Sequence, residues 1–498
     1  MADELKHYKM YIGGEFVDAV SGAKMSAVCP ADGKVIATFP KGGAEDVDKA
    51  VKAAKKRFED SLWGKDHASQ ARGDLLRNIA TGIRDKMDEL VETEVLDSGK
   101  TITDVSLVDV HYAADCFEYY ANLANQIYGE VIPVPGDVID LAVREPLGVC
   151  AAIAAWNYPI MFAAWKIAPC LAAGNTIVYK PSSETSLSAL ALAGIIEAAG
   201  APAGAVNIVT GPGEYIGKAI CEHEGIAKIS FTGSTEVGKK VMQMASSTMK
   251  KVTMELGGKS PNIIFDDIAN MDAVVGAALL GIYFNAGQTC IAGSRVYVHE
   301  NIYEEFKNEI VRRAGLIRVG HGLDWESRVG AIINEAQMRA VLGLIETGKQ
   351  EGARLLIGGN QLTDGDLAKG FFVEPTIFEC DHDDYTIVKK EIFGPVLCLM
   401  KFSEEKEVIR RANDTIYGLA SAVWTNNVKR AFRVARALKA GQVWINQYLV
   451  LNNFAPHGGY KQSGFGKDLS KYALEQYTQV KNIYVELCDE DAYISTFE

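Results

Sequence analysis

The chain has 498 residues, 48% of them hydrophobic, and carries 51 basic against 64 acidic side chains for a formal net charge of -13. That length exceeds what one core usually organises, so two or three domains are expected. No basic block stands out, which argues against nucleic acid or an anionic membrane surface as a partner; the acidic excess reads as a solubility feature.

In chain order, the opening "MADELKHYKMYIGGEF" lacks an apolar run and a small-residue cleavage site, so no secretory leader is expected. "YKMYIGGEFV" and "KVIATFP" read as short strands. "AEDVDKAVKAAKKRFED" has acids at its start and lysines near its end, the arrangement a helix dipole favours. Helical periodicity continues through "ASQARGDLLRNIATGIRDKMDELVETEVLDSGK", with Gly99 as its terminator.

From about Val149 the pattern alternates. "GVCAAIAA", "NTIVYK", "AVNIVTG" and "IAKISFTG" read as apolar strands, with helical runs such as "SLSALALAGIIEAAG" between them. This predicts a doubly wound α/β domain whose parallel sheet is covered on both faces and whose ligand lies at the carboxyl ends of the strands. The most apolar stretch, "LGVCAAIAAWNYPIMFAAWKIAPCLAAG", is interrupted by Asn157, Pro159, Lys166 and Pro169, which suits a buried strand, loop and helix better than a membrane span. After "MELGGKSPNIIFDD" a second series follows: "VYVHE", "RLLIGG", "VLCLMKF" and "GQVWIN". It reads as a second α/β domain. The end, "VKNIYVELCDEDAYISTFE", is strand-like and then acidic; it either pairs with another subunit or frays.

Nine cysteines are scattered without CxxC or zinc-ligand spacing, which predicts reduced thiols in a cytoplasmic protein. The eight histidines are unclustered, so no catalytic metal is expected.

"FTGSTEVG", with Gly233 and Gly238, joins a strand to a helix. It is not a full GxGxxG and could be a tight turn alone. A second glycine-rich turn, "TGPGEYIG", and Lys180 in "YKPSSE" strengthen a dinucleotide reading, since a cation at a strand's carboxyl end can hold ribose or phosphate oxygens. Cys290 stands in "FNAGQTCIAGSR". A free cysteine is usually a small buried hydrophobe, but the glycines and polar residues here suit backbone near a ligand, and a reactive thiol needs exposed N–H groups or a cation. Glu255 in "MELGGK" is either an ordinary surface carboxylate or one facing the open space beside two glycines. Asn157 in "WNYP" could equally cap a turn.

Taken together, "WNYP", "WKIAPCLAAGNTIVYKPS", "FTGSTEVG", "MELGGKSPNIIF", "FNAGQTCIAGSR", "KEIFGPV", "NDTIYGLASAV" and "GGYKQSGFGKD" make the chain closely resemble the aldehyde dehydrogenase superfamily, in its hydrolytic NAD(P)-dependent branch, over nearly its whole length. The resemblance implies that Cys290 attacks an aldehyde to give a thiohemiacetal. Asn157 and the Cys290 backbone N–H would form the oxyanion hole, each donor contributing roughly 3 kcal/mol. Hydride passes to the nicotinamide, and Glu255 activates the water that hydrolyses the resulting thioester, with Lys166 tuning the site. Ile153, Trp156, Lys180, Gly213, Gly217, Phe231 and Ser234 match positions around adenine, ribose and pyrophosphate; Glu391 and Phe393 match those at the nicotinamide. NAD-preferring members commonly have glutamate where this chain has Ser183, with Glu184 one residue later. NADP is therefore expected to be tolerated or preferred, unless a loop shift returns Glu184 to the ribose.

Two other readings stand beside this one. A CoA-acylating member generally lacks a base at the Glu255 position, and a non-catalytic, crystallin-like member would have lost Cys290 or Glu255. By family position Tyr158, Phe162, Trp165, Phe284, Thr289, Ile291 and Phe454 line the substrate channel. The expected substrate is a medium-sized aliphatic or aromatic aldehyde, with a betaine or amino aldehyde as runner-up. "WNYP" and Trp165 resemble the latter group, which often has tryptophan where this chain has His457. The implied architecture is a dinucleotide-binding domain (1–127 and 147–257), a catalytic domain (258–457) and an oligomerisation arm (128–146 and 475–498) that builds a homodimer or homotetramer.

Overall fold

A computed structural model describes residues 5–59, 62–65 and 68–487. The acidic end of the chain, with Cys488, lies outside them.

The first large sheet has eight strands. Five of them, Val149–Ile153, Thr176–Lys180, Val206–Ile208, Lys228–Thr232 and Lys251–Glu255, run parallel. Val149–Ile153, Thr176–Lys180 and Lys228–Thr232 are buried along their whole length, which is why their sequences read as unbroken apolar runs rather than alternating ones. Val149–Ile153 pairs with Thr176–Lys180 on one side and Lys228–Thr232 on the other, so the strand order reverses around it. A crevice opens at such a switch point, just beyond the carboxyl ends. Asn157 stands there, between this strand and the wholly buried helix Pro159–Ala172.

A second sheet of seven strands begins at Pro261–Ile264, pairs with Arg295–His299 and Ala420–Trp424, and is parallel except for its edge strand Arg354–Ile357. The chain then returns. Gly464–Phe465 adds antiparallel to Lys251–Glu255, giving the first sheet a late strand.

The remaining strands form smaller sheets. Val138–Pro146 pairs antiparallel along its length with Thr478–Glu486, and Glu130–Ile132 flanks it. Val131, Val480, Tyr484 and Val485 are exposed on this ribbon. The helix Met87–Ser98 stops at Gly99, whose φ of +76° is a left-handed conformation suited to glycine. The turn sends Lys100 into the interior. Among the described residues no helix is long and apolar enough to cross a membrane.

One fully buried amide ties the ribbon to the first sheet. Asn175 Oδ1 accepts from the N–H groups of Leu147 (2.6 Å) and Gly148 (3.0 Å), while Nδ2 donates to the carbonyls of Cys170 (3.3 Å) and Tyr477 (2.8 Å). Asn175→Ala leaves these buried groups unpaired and should cost about 3 kcal/mol. Thermal denaturation followed by circular dichroism should show a clearly lower midpoint; an unchanged midpoint would contradict this role.

Candidate active site

The loop before Cys290 is held in an unusual conformation. Asn285, Ala286 and Gly287 have φ of +50°, +52° and +73° in succession, so the chain turns sharply after the helix Met271–Tyr283. Non-glycine residues persist in this region only where neighbours over-determine them. Here Asn285 Nδ2 donates to the Asn157 carbonyl (3.1 Å), and Gln288 Oε1 accepts from Ile333 N–H (2.9 Å). The Asn157 side chain joins the same clamp, donating from Nδ2 to the Gln288 carbonyl at 2.9 Å. Asn157 is thus tied to Gln288, two residues before Cys290 in the chain. Beneath it Lys100 is buried, paired with Asp109, donating to the Asn157 carbonyl (3.2 Å) and lying 3.7 Å from the Tyr158 ring centroid.

Glu255 ends its strand, buried, with Oε2 lacking a hydrogen-bond partner. The glycines after it have separate jobs. A Cβ on Gly257 would strike the Glu391 carboxylate, and one on Gly258 would overlap the Cys290 carbonyl. Gly258 N–H donates to Glu391 Oε1 at 2.8 Å. Burial raises the Glu391 carboxyl to about 7 against that hydrogen bond. Burial, then the charge of Asp468, pushes Glu255 well above the usual carboxylate range, with Lys166 and Lys467 opposing. Lys166 itself is buried in an ion pair with Asp468.

Burial, followed by Glu391 and Glu255, also raises the half-buried Cys290 thiol, to about 12. The N–H groups of Cys290 and Ile291 act in the opposite direction. The donors expected of a reactive thiol are therefore present but outweighed, and the resting sulfur is protonated at neutral pH.

Cys290 lies in the wall between two cavities. One, of about 330 Å³, is bounded by Tyr158, Phe162, Trp165, Phe284, Thr289, Ile291 and His457. The other, of about 310 Å³, is bounded by Trp156, Asn157, Ser234, Glu255, Glu391, Phe393 and His457. Cys290 borders both. Tyr158 Oη and Thr289 Oγ1 are hydrogen-bonded at 2.7 Å, and Trp156 meets Phe393 edge-on at 5.3 Å.

Other residues singled out from the sequence lie elsewhere. Phe454 is exposed against Tyr119 (ring centroids 5.1 Å apart) and does not line the first cavity. Ile153 and Phe231 are buried in the first sheet. Lys180 is buried at its strand end, where burial lowers its ammonium to about 8 and Nζ donates to the Pro181 carbonyl (2.8 Å). Ser183 is half-buried, and exposed Glu184 accepts from Asn334 Nδ2 at 2.9 Å. Gly213 and Gly217 sit in one helical turn with open space beside both.

Sequence reasoning missed Lys100, Asp104, Asp109, Gln288, Tyr448 and Asp468. Asp468 pairs with Lys166 across 302 positions, a relation that no local pattern signals. Among the described residues no group of three or more His, Cys, Asp or Glu could hold a metal ion.

The aldehyde dehydrogenase family model matches residues 16–483. The chain is 44% identical over 481 residues to DhaS of Bacillus subtilis (strain 168), covering 97% of this chain and 96% of that one. Its fold superposes on betaine aldehyde dehydrogenase from Staphylococcus aureus in complex with NAD+ (TM-score 0.95, 38% identity, 97% and 95% of the two chains covered). It also superposes on the indole-3-acetaldehyde dehydrogenase AldA of P. syringae in complex with NAD+ and IAA (TM-score 0.95, 39% identity, 97% and 98% covered). The chain belongs to the aldehyde dehydrogenase family, a class of oxidoreductases.

With its thiol raised to about 12, Cys290 should react with iodoacetamide in the cofactor-free protein at a rate rising about tenfold per pH unit from pH 7 to 10. Peptide mass spectrometry across that range reads this rate. A plateau below pH 9 would contradict the resting thiol state.

Proposed function

We propose that the chain oxidises a medium-sized aliphatic or aromatic aldehyde to the carboxylic acid with NAD(P)+. The observation that carries this reading is the position of Cys290 as common wall of two cavities, with Asn157 and Glu255 bordering the second. An aldehyde in the first cavity can present its carbonyl to the sulfur. Attack, after the thiol loses its proton to solvent, gives a thiohemiacetal whose oxyanion is met by the Asn157 amide and the Cys290 N–H. Glu255, once ionised, takes a proton from the water that cleaves the later thioester, and the Lys166–Asp468 pair sets the field in which it titrates.

The second cavity suits a dinucleotide's nicotinamide end. The lack of a Cβ on Gly257 leaves room for the Glu391 carboxylate, one oxygen of Glu391 is held by Gly258 N–H, and Trp156 and Phe393 add aromatic surface. Glu391 and Phe393 would hold the ribose and ring, and Lys180 and Ser234 the adenosine and pyrophosphate end. When bound, the dinucleotide supplies the hydride acceptor. Because Glu184 is engaged with Asn334, Ser183 and Lys180 would be left to meet the adenosine 2′ position, which supports use of NADP+ as well as NAD+.

The aromatic and aliphatic lining of the first cavity favours apolar aldehydes by burial. The second reading, a betaine or amino aldehyde, is favoured by Asp104, whose carboxyl also borders that cavity and is raised by burial to about 6. Glu255 in place weighs against acyl transfer to CoA, and the intact trio against a purely structural role. Assembly into a homodimer or homotetramer through the exposed ribbon, and a cytoplasmic location in keeping with the eight free cysteines among the described residues, complete the reading.

Aldehyde-dependent NAD(P)H formation should fall at least about a thousandfold in Cys290→Ala, as for loss of other enzymic nucleophiles. Across a panel assayed with each dinucleotide, kcat/KM for phenylacetaldehyde should exceed that for betaine aldehyde. A large advantage for betaine aldehyde would reverse the substrate order, and an active Cys290→Ala would remove the mechanism.

A further inference from the structure

His457 borders both cavities, yet the chemistry above gives it no task. Its backbone exchanges two hydrogen bonds with Asp468, each 2.8 Å, which fixes the main chain. Its ring packs against Trp165 with centroids 5.4 Å apart. Nδ1 lies 3.3 Å from Gln442 Oε1. The amide of Gln442 is oriented by its Nε2, which donates to the Val450 carbonyl at 3.4 Å, so Oε1 faces the histidine as acceptor. These partners assign the hydrogen to Nδ1 and leave a lone pair on Nε2. Nε2 lies 3.9 Å from the Glu255 Oε2 that has no hydrogen-bond partner. The residue next to His457 completes the seat: a Cβ on Gly458 would overlap Glu255 Oε1, so glycine leaves the room the carboxyl occupies.

We propose that His457 is a positioning residue for Glu255: through Nε2 it accepts the hydrogen bond of the Glu255 carboxyl and fixes where that group waits between the two cavities. This rests on the reading of Glu255 as the base. The gap of 3.9 Å exceeds a hydrogen bond, so the proposed bond forms when the carboxyl moves toward the ring, to the usual distance of about 2.7 Å. Proton placement is consistent on both sides. Burial raises the Glu255 carboxyl well above the usual carboxylate range, which favours its acid form, and lowers the imidazole to about 4, which favours a neutral acceptor. The charged groups facing the pair are Asp468, Lys166 and Lys467; Asp468 favours proton retention on both residues and the two lysines oppose it. A bond from the acid form stabilises that form, so His457 delays ionisation of Glu255 as pH rises.

The test compares wild type with His457→Phe, which keeps a ring against Trp165 without an acceptor, and His457→Gln, whose amide oxygen can accept. In Phe the acid limb of the pH profile for thioester hydrolysis should move down by about one unit, the equivalent of one hydrogen bond, and in Gln it should return. Two readouts do not need turnover. The infrared C=O stretch of protonated Glu255, identified by its loss in Glu255→Gln, should rise in frequency in His457→Phe. Solid-state ¹⁵N spectra of histidine-labelled wild type, which need no variant, should show His457 protonated at Nδ1 and bare at Nε2 from pH 6 to 8. An unmoved profile and carboxyl stretch in His457→Phe, or a protonated Nε2 in wild type, overturns the proposal. Wild type inactive on every aldehyde would instead remove the functional reading, while the spectra still decide the hydrogen bond.

Discussion

The site depends on a steric constraint where the chain crosses from one sheet to the other. Lys251–Glu255 closes the parallel part of the first sheet, and Pro261–Ile264 begins the second. The short link between them passes directly under the Cys290 carbonyl and beside the Glu391 carboxylate, at points where a Cβ would overlap each. Two successive glycines let backbone from one sheet touch functional groups supported by the other. Because Glu255 is the last residue before this crossing, its carboxyl arrives at the seam without needing a loop of its own. Bulk at either glycine would separate the carboxylates from the sulfur rather than merely loosen a turn.

That close approach explains the electrostatics. Burying a thiol and two carboxyls at one seam disfavours every ionised form, and burial raises all three groups above their usual ranges. Of the lysines near them, Lys166 is paired with Asp468 and Lys100 with Asp109, while the buried Nζ of Lys259, which acts on Glu391, has no hydrogen-bond partner. The left-handed residues at Asn285 to Gly287 show that the backbone around Cys290 is constrained as tightly as the side chains.

Much of this was legible in the sequence. Unbroken apolar runs between Val149 and Thr232 become strands buried on both faces, and the acidic start and basic end of Ala44–Glu59 mark a helix. Gly99 terminates its helix in the left-handed conformation its position suggests. Legibility failed where the relation is long-range. Nothing near Lys166 points to Asp468, and nothing near Asn157 points to Lys100, because such pairs are made by the packing of whole elements. Phe454 shows a related limit: this aromatic near "GGYK" is exposed against Tyr119, and a loop position does not by itself fix the direction of its side chain. The thiol illustrates a third limit. Its donors could be foreseen, but whether they outweigh desolvation depends on burial, which only the folded structure supplies.

The most direct measurement of whether the sulfur and the carboxyl act on one bound molecule is the intact mass of Glu255→Gln after mixing with aldehyde and NAD+. With the nucleophile intact and the base removed, the chain should accumulate a single acyl group on Cys290, heavier by the aldehyde less two hydrogens. No adduct, or an adduct on another cysteine, would contradict the convergence of these segments on one reacting carbon.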